Sequence, residues 1–127
     1  MLKYNEVTEM SPTQIESELA TRIPHRVINA VLSASMFERD LDWAQDIAIG
    51  HADEDNPAEV RAIAIQALGH IARIYGAVDV ERVLPVLEKA LADKDRRIAA
   101  QAETALDDLR QFDPEFRVRW DQLHALP

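Results

Sequence analysis

An internal repeat of about 40 residues is the feature that most constrains this chain. When the sequence is shifted by 38 residues, six apolar positions of one predicted helix coincide with six of a later helix. The coinciding positions are Val60/Ile98, Ala62/Ala100, Ala64/Ala102, Ala67/Ala105, Leu68/Leu106 and Ile71/Leu109. The helices that precede them align at a shift of 40, because the turn at residues 51–56 carries two extra residues. Repeats of this length are helix pairs that bury their apolar faces by stacking on one another.

Turn and capping signals divide the chain into seven helices. The predicted helices cover approximately residues 12–21, 24–36, 40–51, 57–75, 79–92, 95–112 and 114–124. Ser11 begins a capping box, Asn56 followed by Pro57 is a typical start for the fourth helix, and Gly76 suits a left-handed C-cap. Pro85, inside the fifth helix, predicts a kink or a shifted boundary.

The fourth predicted helix resembles the second helix of a HEAT repeat. The stretch NPAEVRAIAIQALGHIAR, with the residue before it, has that repeat's acidic or amide turn, Val-Arg pair, alanines and Leu-Gly pair. These are Asp55, Val60, Arg61, Ala64, Ala67, Leu68 and Gly69. The later copy, DKDRRIAAQAETALDDL, keeps the apolar positions but has Ala99 for Arg61 and Asp107 for Gly69. The resemblance covers approximately residues 40–112.

The resemblance implies an all-α fold, a short α-solenoid of about three HEAT-like helical hairpins plus a short C-terminal helix. The first two helices would be a degenerate copy of the hairpin. We therefore expect a single domain over residues 1–127, with an N-terminal arm at 1–10, helical repeats at 11–112, and a capping helix and tail at 113–127.

A difference between the two aligned helices indicates which of them lies in the middle of the stack and which lies at its end. The fourth is apolar or small on two sides and must be covered on both, whereas the sixth has Glu103 and Asp107 on its second side, as a terminal repeat needs. A polar strip remains on the fourth helix (Glu59, Gln66, His70, Arg73), and it should neighbour one on the sixth (Arg97, Thr104, Asp108, Gln111). These strips are either an inner binding face or simply the solvated sides of their helices.

The charge of the chain is negative and unevenly distributed. The formal net charge is −9, and residues 37–59 alone contain eight acids and a single base, Arg39. Such a chain should be repelled by nucleic acid and by anionic membranes, so the acidity serves either solubility or a basic partner. With no cysteine, no secretory signal and no apolar run of membrane-spanning length, we expect a cytoplasmic protein.

The stretch HADEDN, residues 51–56, could be a metal site, a helix cap or a surface for a cationic partner. A calcium loop would need a glycine and more residues, and the other histidines are too scattered for zinc, so no metal is predicted. Capping of the fourth helix explains Asp55 and Asn56. Asp53 and Glu54 are not needed for capping, so we interpret them as part of a surface that binds a partner.

No catalytic motif is present, so we predict neither an enzyme nor a cofactor. A small acidic helical stack resembles the immunity proteins that bacteria encode beside polymorphic or contact-dependent toxins. The resemblance implies a monomer that occludes the active site of a basic toxin domain, such as a nuclease. The predicted contacts are Asp40, Asp42, Asp46, Asp53, Glu54 and Asp55, with Gln66, His70 and Asp108 on the inner face. The alternatives are a general scaffold with an apolar groove and, less favoured, a lyase with a deep pocket.

Overall fold

The structure, a computed structural model, describes residues 7–125, and within them all regular structure is helical. The helices are α1 (Pro12–Ala20), α2 (Pro24–Phe37), α3 (Leu41–His51), α4 (Ala58–Tyr75), α5 (Val80–Leu91), α6 (Arg96–Phe112) and α7 (Pro114–Leu123). Every predicted boundary is confirmed to within one residue. Most of the predicted N-terminal arm, and the last two residues of the predicted tail, lie outside the described residues.

Three helical hairpins, α1–α2, α3–α4 and α5–α6, stack side by side. The second helix of each hairpin packs on the second helix of the next, so that α2, α4 and α6 form one continuous layer. The contact between α4 and α6 is the most extensive in the structure, and α7 packs across α5 and α6. The predicted fold class, an all-α short solenoid, is therefore confirmed.

The middle helix α4 is covered on two sides, as its sequence predicts. Its small flank is buried at Ala62, Ile65, Gly69 and Ala72. The corresponding positions of α6 are solvent-exposed at Ala100, Glu103 and Asp107. These side chains are exposed because α6 ends the layer and no further hairpin follows it in the described part of the chain.

Gly69 lets α4 approach α6 closely. A methyl group added at this position would lie 3.1 Å from Cα of Ala105 and 3.1 Å from Oδ2 of Asp108. Three-ångström contacts to a backbone carbon leave little room for a side chain, so the spacing of the two helices depends on glycine here.

An ion pair between Arg61 and Asp93 ties the second hairpin to the third. Arg61 on α4 reaches the carboxylate of Asp93 in the α5–α6 turn, and both side chains are largely buried. Asp93 corresponds to Asp55 at the repeat shift of 38, so the arginine of one repeat pairs with the turn acid of the following one. The position of Arg61 becomes Ala99 in the last repeat, where no described hairpin follows to offer a carboxylate.

Two buried polar side chains hold the linker between α4 and α5. Asp113 accepts a hydrogen bond from the backbone N–H of Val78 at 2.9 Å and caps α7 by accepting another from Phe116 at 3.1 Å. Gln45 on α3 accepts from the backbone N–H of Asp79 at 2.5 Å. These bonds satisfy linker groups that would otherwise be buried unpaired.

Helix α7 packs against α5 and α6 of the third hairpin. Phe116 and Trp120 are buried and stack with ring centroids 5.9 Å apart.

Pro85 lies inside α5 on its exposed side, and the helix continues through it with the predicted bounds, so a shifted boundary is not what accommodates the proline.

Substituting the two helical glycines should have opposite effects on stability. Gly69→Ala should destabilise the fold by about 1–3 kcal/mol, since the added methyl group overpacks the contact between α4 and α6. Gly50→Ala on α3 is the matched control, because nothing lies within 4 Å of the added methyl group. It should stabilise by up to about 1 kcal/mol through helix propensity. Urea unfolding followed by circular dichroism measures both; equal midpoints for the two variants would contradict the close approach.

Candidate protein-binding surface

The acidic stretch of the sequence forms α3 and the turn that leads to α4. This turn, residues 52–57, has six residues, whereas the equivalent turn between α5 and α6, residues 92–95, has four. The two extra residues predicted from the repeat are thus confirmed, and they lie where Asp53, Glu54 and Asp55 are solvent-exposed.

The prediction that Asp55 and Asn56 cap α4 is wrong. Pro57 occupies the N-cap position with an extended backbone, and no side chain accepts a hydrogen bond from the first turn. The carbonyl of Pro57 accepts from the N–H of Arg61 at 3.0 Å, which begins the helix. Because Pro57 lies between Asn56 and the helix, the side-chain amide of Asn56 is one residue before the N-cap position and does not cap the helix. The carboxylate of Asp55 does not cap it either.

Two of the predicted contact acids are paired with α5. Asp46 lies 2.7 Å from a guanidinium nitrogen of Arg82, and Glu54 lies 2.7 Å from Nζ of Lys89. The hydrogen bond to Glu54, its charge and, more weakly, the charge of Asp53 raise the pKa of Lys89. All four paired side chains remain more than 40% exposed, so these pairs contribute little to stability but reduce the local negative charge.

The other acids of this region differ in what they do. Asp40 is the N-cap of α3, where its carboxylate accepts from the N–H of Trp43 at 3.1 Å. Asp42, Asp53 and Asp55 are exposed and make no ion pair with any residue in the range 7–125. Among the predicted contact acids of this region, these three neither cap a helix nor form an ion pair within the described residues.

A cleft of about 700 Å³, which we call the α1–α3 cleft, opens between the first and second hairpins. Within the described residues α1 does not contact α3, although α3 does contact α5. The cleft is lined by Glu16 and Arg22 from the first hairpin and by Asp53 and Asp55 from the α3–α4 turn. Sequence reasoning did not identify this cleft, because Glu16 and Asp53 are far apart in the chain and no motif connects them.

His51 also lines the α1–α3 cleft, and a carbonyl of its own helix orients the ring. Its Nδ1 lies 2.7 Å from the carbonyl oxygen of Ile47, so Nδ1 carries the proton and donates. In the neutral ring Nε2 is then a hydrogen-bond acceptor.

The prediction that His70 lies on an exposed inner strip is wrong. The side chain is 1% exposed, because α4 is covered on both flanks. Gln66 is half-buried, and its Nε2 lies 3.4 Å from Nε2 of His70. Asp108 is half-buried beside Gly69. Of the predicted α4 strip only Glu59 and Arg73 are exposed.

Burial makes His70 a neutral histidine over most of the physiological range. Removal of the ring from water, followed by the nearby charge of Arg73, lowers its pKa to about 4. The imidazole is buried on α4, with its Nε2 beside the side-chain amide of Gln66.

Among residues 7–125 no three acidic, histidine or cysteine side chains are grouped so that they could hold a metal ion. No helix in the same range is long and apolar enough to span a bilayer. The α1–α3 cleft and the acidic side chains around it form a negatively charged concave surface, which is suited to binding.

No protein-family model and no curated protein matches the sequence. The chain is a member of a family of short helical solenoids that is represented among solved structures. One relative there is a chain of the "Crystal structure of CDI complex from Cupriavidus taiwanensis LMG 19424", with a TM-score of 0.77 and 30% sequence identity. The match covers 88% of this chain and 98% of the other, so the protein belongs to the family of that component of a CDI complex.

Acid should destabilise the protein through His70. The folded ring has a pKa of about 4 and the unfolded ring one near 6.5, so between these values only the unfolded chain binds the proton. Stability is therefore full above pH 7 and falls as the pH drops, by about 2 kcal/mol at pH 5. Urea unfolding at pH 7.5 and at pH 5 should show a smaller loss for His70→Gln than for the parent chain. His25→Gln, on the exposed side of α2, is the matched control, and equal behaviour of the two variants would refute the assignment.

Proposed function

We propose that this protein is the immunity-type component of a contact-dependent inhibition (CDI) system, and that it binds and neutralises the toxin domain of that system. The similarity over nearly the whole length of a chain from a CDI complex carries the proposal. The fold agrees with it, because a short solenoid of stacked hairpins is a rigid body that presents a preformed surface.

The electrostatics support a basic partner. The chain carries a formal net charge of −9, most of it in the segment that forms α3 and the following turn. A surface of this sign accelerates encounter with a positive one and repels nucleic acid. If the toxin acts on an anionic substrate such as RNA or DNA, an acidic protein bound over its substrate cleft excludes that substrate by both volume and charge.

The alternative of a general adaptor predicts a different kind of surface. An adaptor of this size should bind through an apolar groove, with little dependence on salt. The concavity described above has Glu16, Asp53 and Asp55 on its rim, which favours recognition of a cationic partner.

The proposal predicts protection and salt-sensitive binding. Cells that produce the toxin domain encoded beside this chain should grow only when the chain is co-produced. The association rate of the purified pair should fall at least about tenfold between 50 and 500 mM salt, because screening removes long-range attraction. Stopped-flow mixing with a catalytically inactive toxin domain measures it.

A charge-reversed chain provides the specific control. Asp53→Lys, Glu54→Lys and Asp55→Lys combined should slow association while leaving the helical circular dichroism unchanged, since all three side chains are exposed. Absence of any complex between the unmodified chain and the toxin domain would refute the proposed function. A complex whose association rate ignores salt would refute the basic partner.

A further inference from the structure

We propose that the α1–α3 cleft receives a lysine- or arginine-bearing segment of the partner, with the cationic group held by Glu16, Asp53 and Asp55. This inference rests on the proposed function, since the partner is the toxin domain. It places the principal contact at the edge between the first two hairpins.

The charges that line the cleft favour a cation. Glu16, Asp53 and Asp55 contribute three carboxylates, Arg22 contributes one guanidinium, and no ion pair within residues 7–125 neutralises any of the three acids. A phosphate or carboxylate would meet net repulsion here, whereas an ammonium or guanidinium group would donate to several acceptors.

The floor of the cleft suits the stem of such a side chain. Val27 and Val60 are almost fully buried beneath it, and Leu19 is half-buried beside them. Lysine and arginine place their methylene stems on apolar surface while the charged end stays at a polar rim. A volume of about 700 Å³ holds more than one side chain, so the occupant is a short segment of protein.

The rest of the acidic region is less suited to this role. Asp46 and Glu54 are engaged by Arg82 and Lys89 of α5, so a partner would have to displace an existing pair. Asp40 is committed to the first turn of α3. Asp42 is unpaired but lies outside the lining of the cleft.

The first test removes charge without changing shape. Asp53→Asn combined with Asp55→Asn should weaken the complex with the inactive toxin domain at least about tenfold in Kd. Glu103→Gln combined with Asp107→Asn removes the same charge from the exposed flank of α6 and should change Kd less than about threefold. Equal losses in the two double variants would overturn the assignment to the cleft.

Two further variants separate charge from volume. Arg22→Asn removes the only arginine or lysine among residues 7–125 that lines the cleft, and asparagine suits the left-handed backbone at φ 55°, so association should become faster. Ala20→Trp fills the cleft from the exposed end of α1 without altering charge and should weaken binding at least about tenfold. Unchanged binding by Ala20→Trp would show that the segment docks elsewhere.

Zero-length carbodiimide cross-linking of the complex locates the contact directly. Carboxylates joined to partner lysines should include Glu16, Asp53 or Asp55. If the unmodified chain forms no complex, the proposed function and this inference both fail. If it forms one, but the cross-links lie elsewhere and both Asp53→Asn/Asp55→Asn and Ala20→Trp bind as tightly as the parent, only this inference fails.

Discussion

The packing of α4 against α6 is the contact on which the rest of the structure depends. It is close because Gly69 and Ala105 bring the two backbones together, and it is extensive because small residues cover the whole flank of α4. With α2 packed on its other side, ten of the 18 residues of α4 are buried. This explains why a helix that carries a histidine in its polar strip nevertheless buries that ring.

The same stacking decides which charges are used inside the fold and which are left for a partner. Stacking the second hairpin on the third brings Arg61 to Asp93, and it places Arg82 and Lys89 of α5 beside acids of α3 and its turn. The first hairpin provides no such partners, since α1 and α3 do not touch within the described residues. Negative charge therefore persists along the edge between the first and second hairpins.

The proposed immunity-type role would place two physical demands on such a protein, and the fold is suited to both. The binding surface must be preformed, since ordering it on contact would cost affinity, and helical hairpins with buried polar anchors such as Gln45 and Asp113 are rigid. The surface must also attract its target quickly, which unpaired exposed carboxylates do through long-range charge. Neither demand requires a catalytic group.

The sequence by itself determined the helices and the order in which they stack. Capping residues such as Ser11 and Gly76 mark the helix ends. The 38-residue repeat, with Glu103 and Asp107 in its last copy, identifies the terminal hairpin. Both signals can be read from the sequence because they depend on neighbours along the chain. Only the tertiary structure decided that His70 is buried, that Glu54 is paired, and that Asp53 faces the same cleft as Glu16. Those facts depend on side chains that meet across helices distant in sequence, and the angular position of a residue on one helix does not specify what a neighbouring helix will cover.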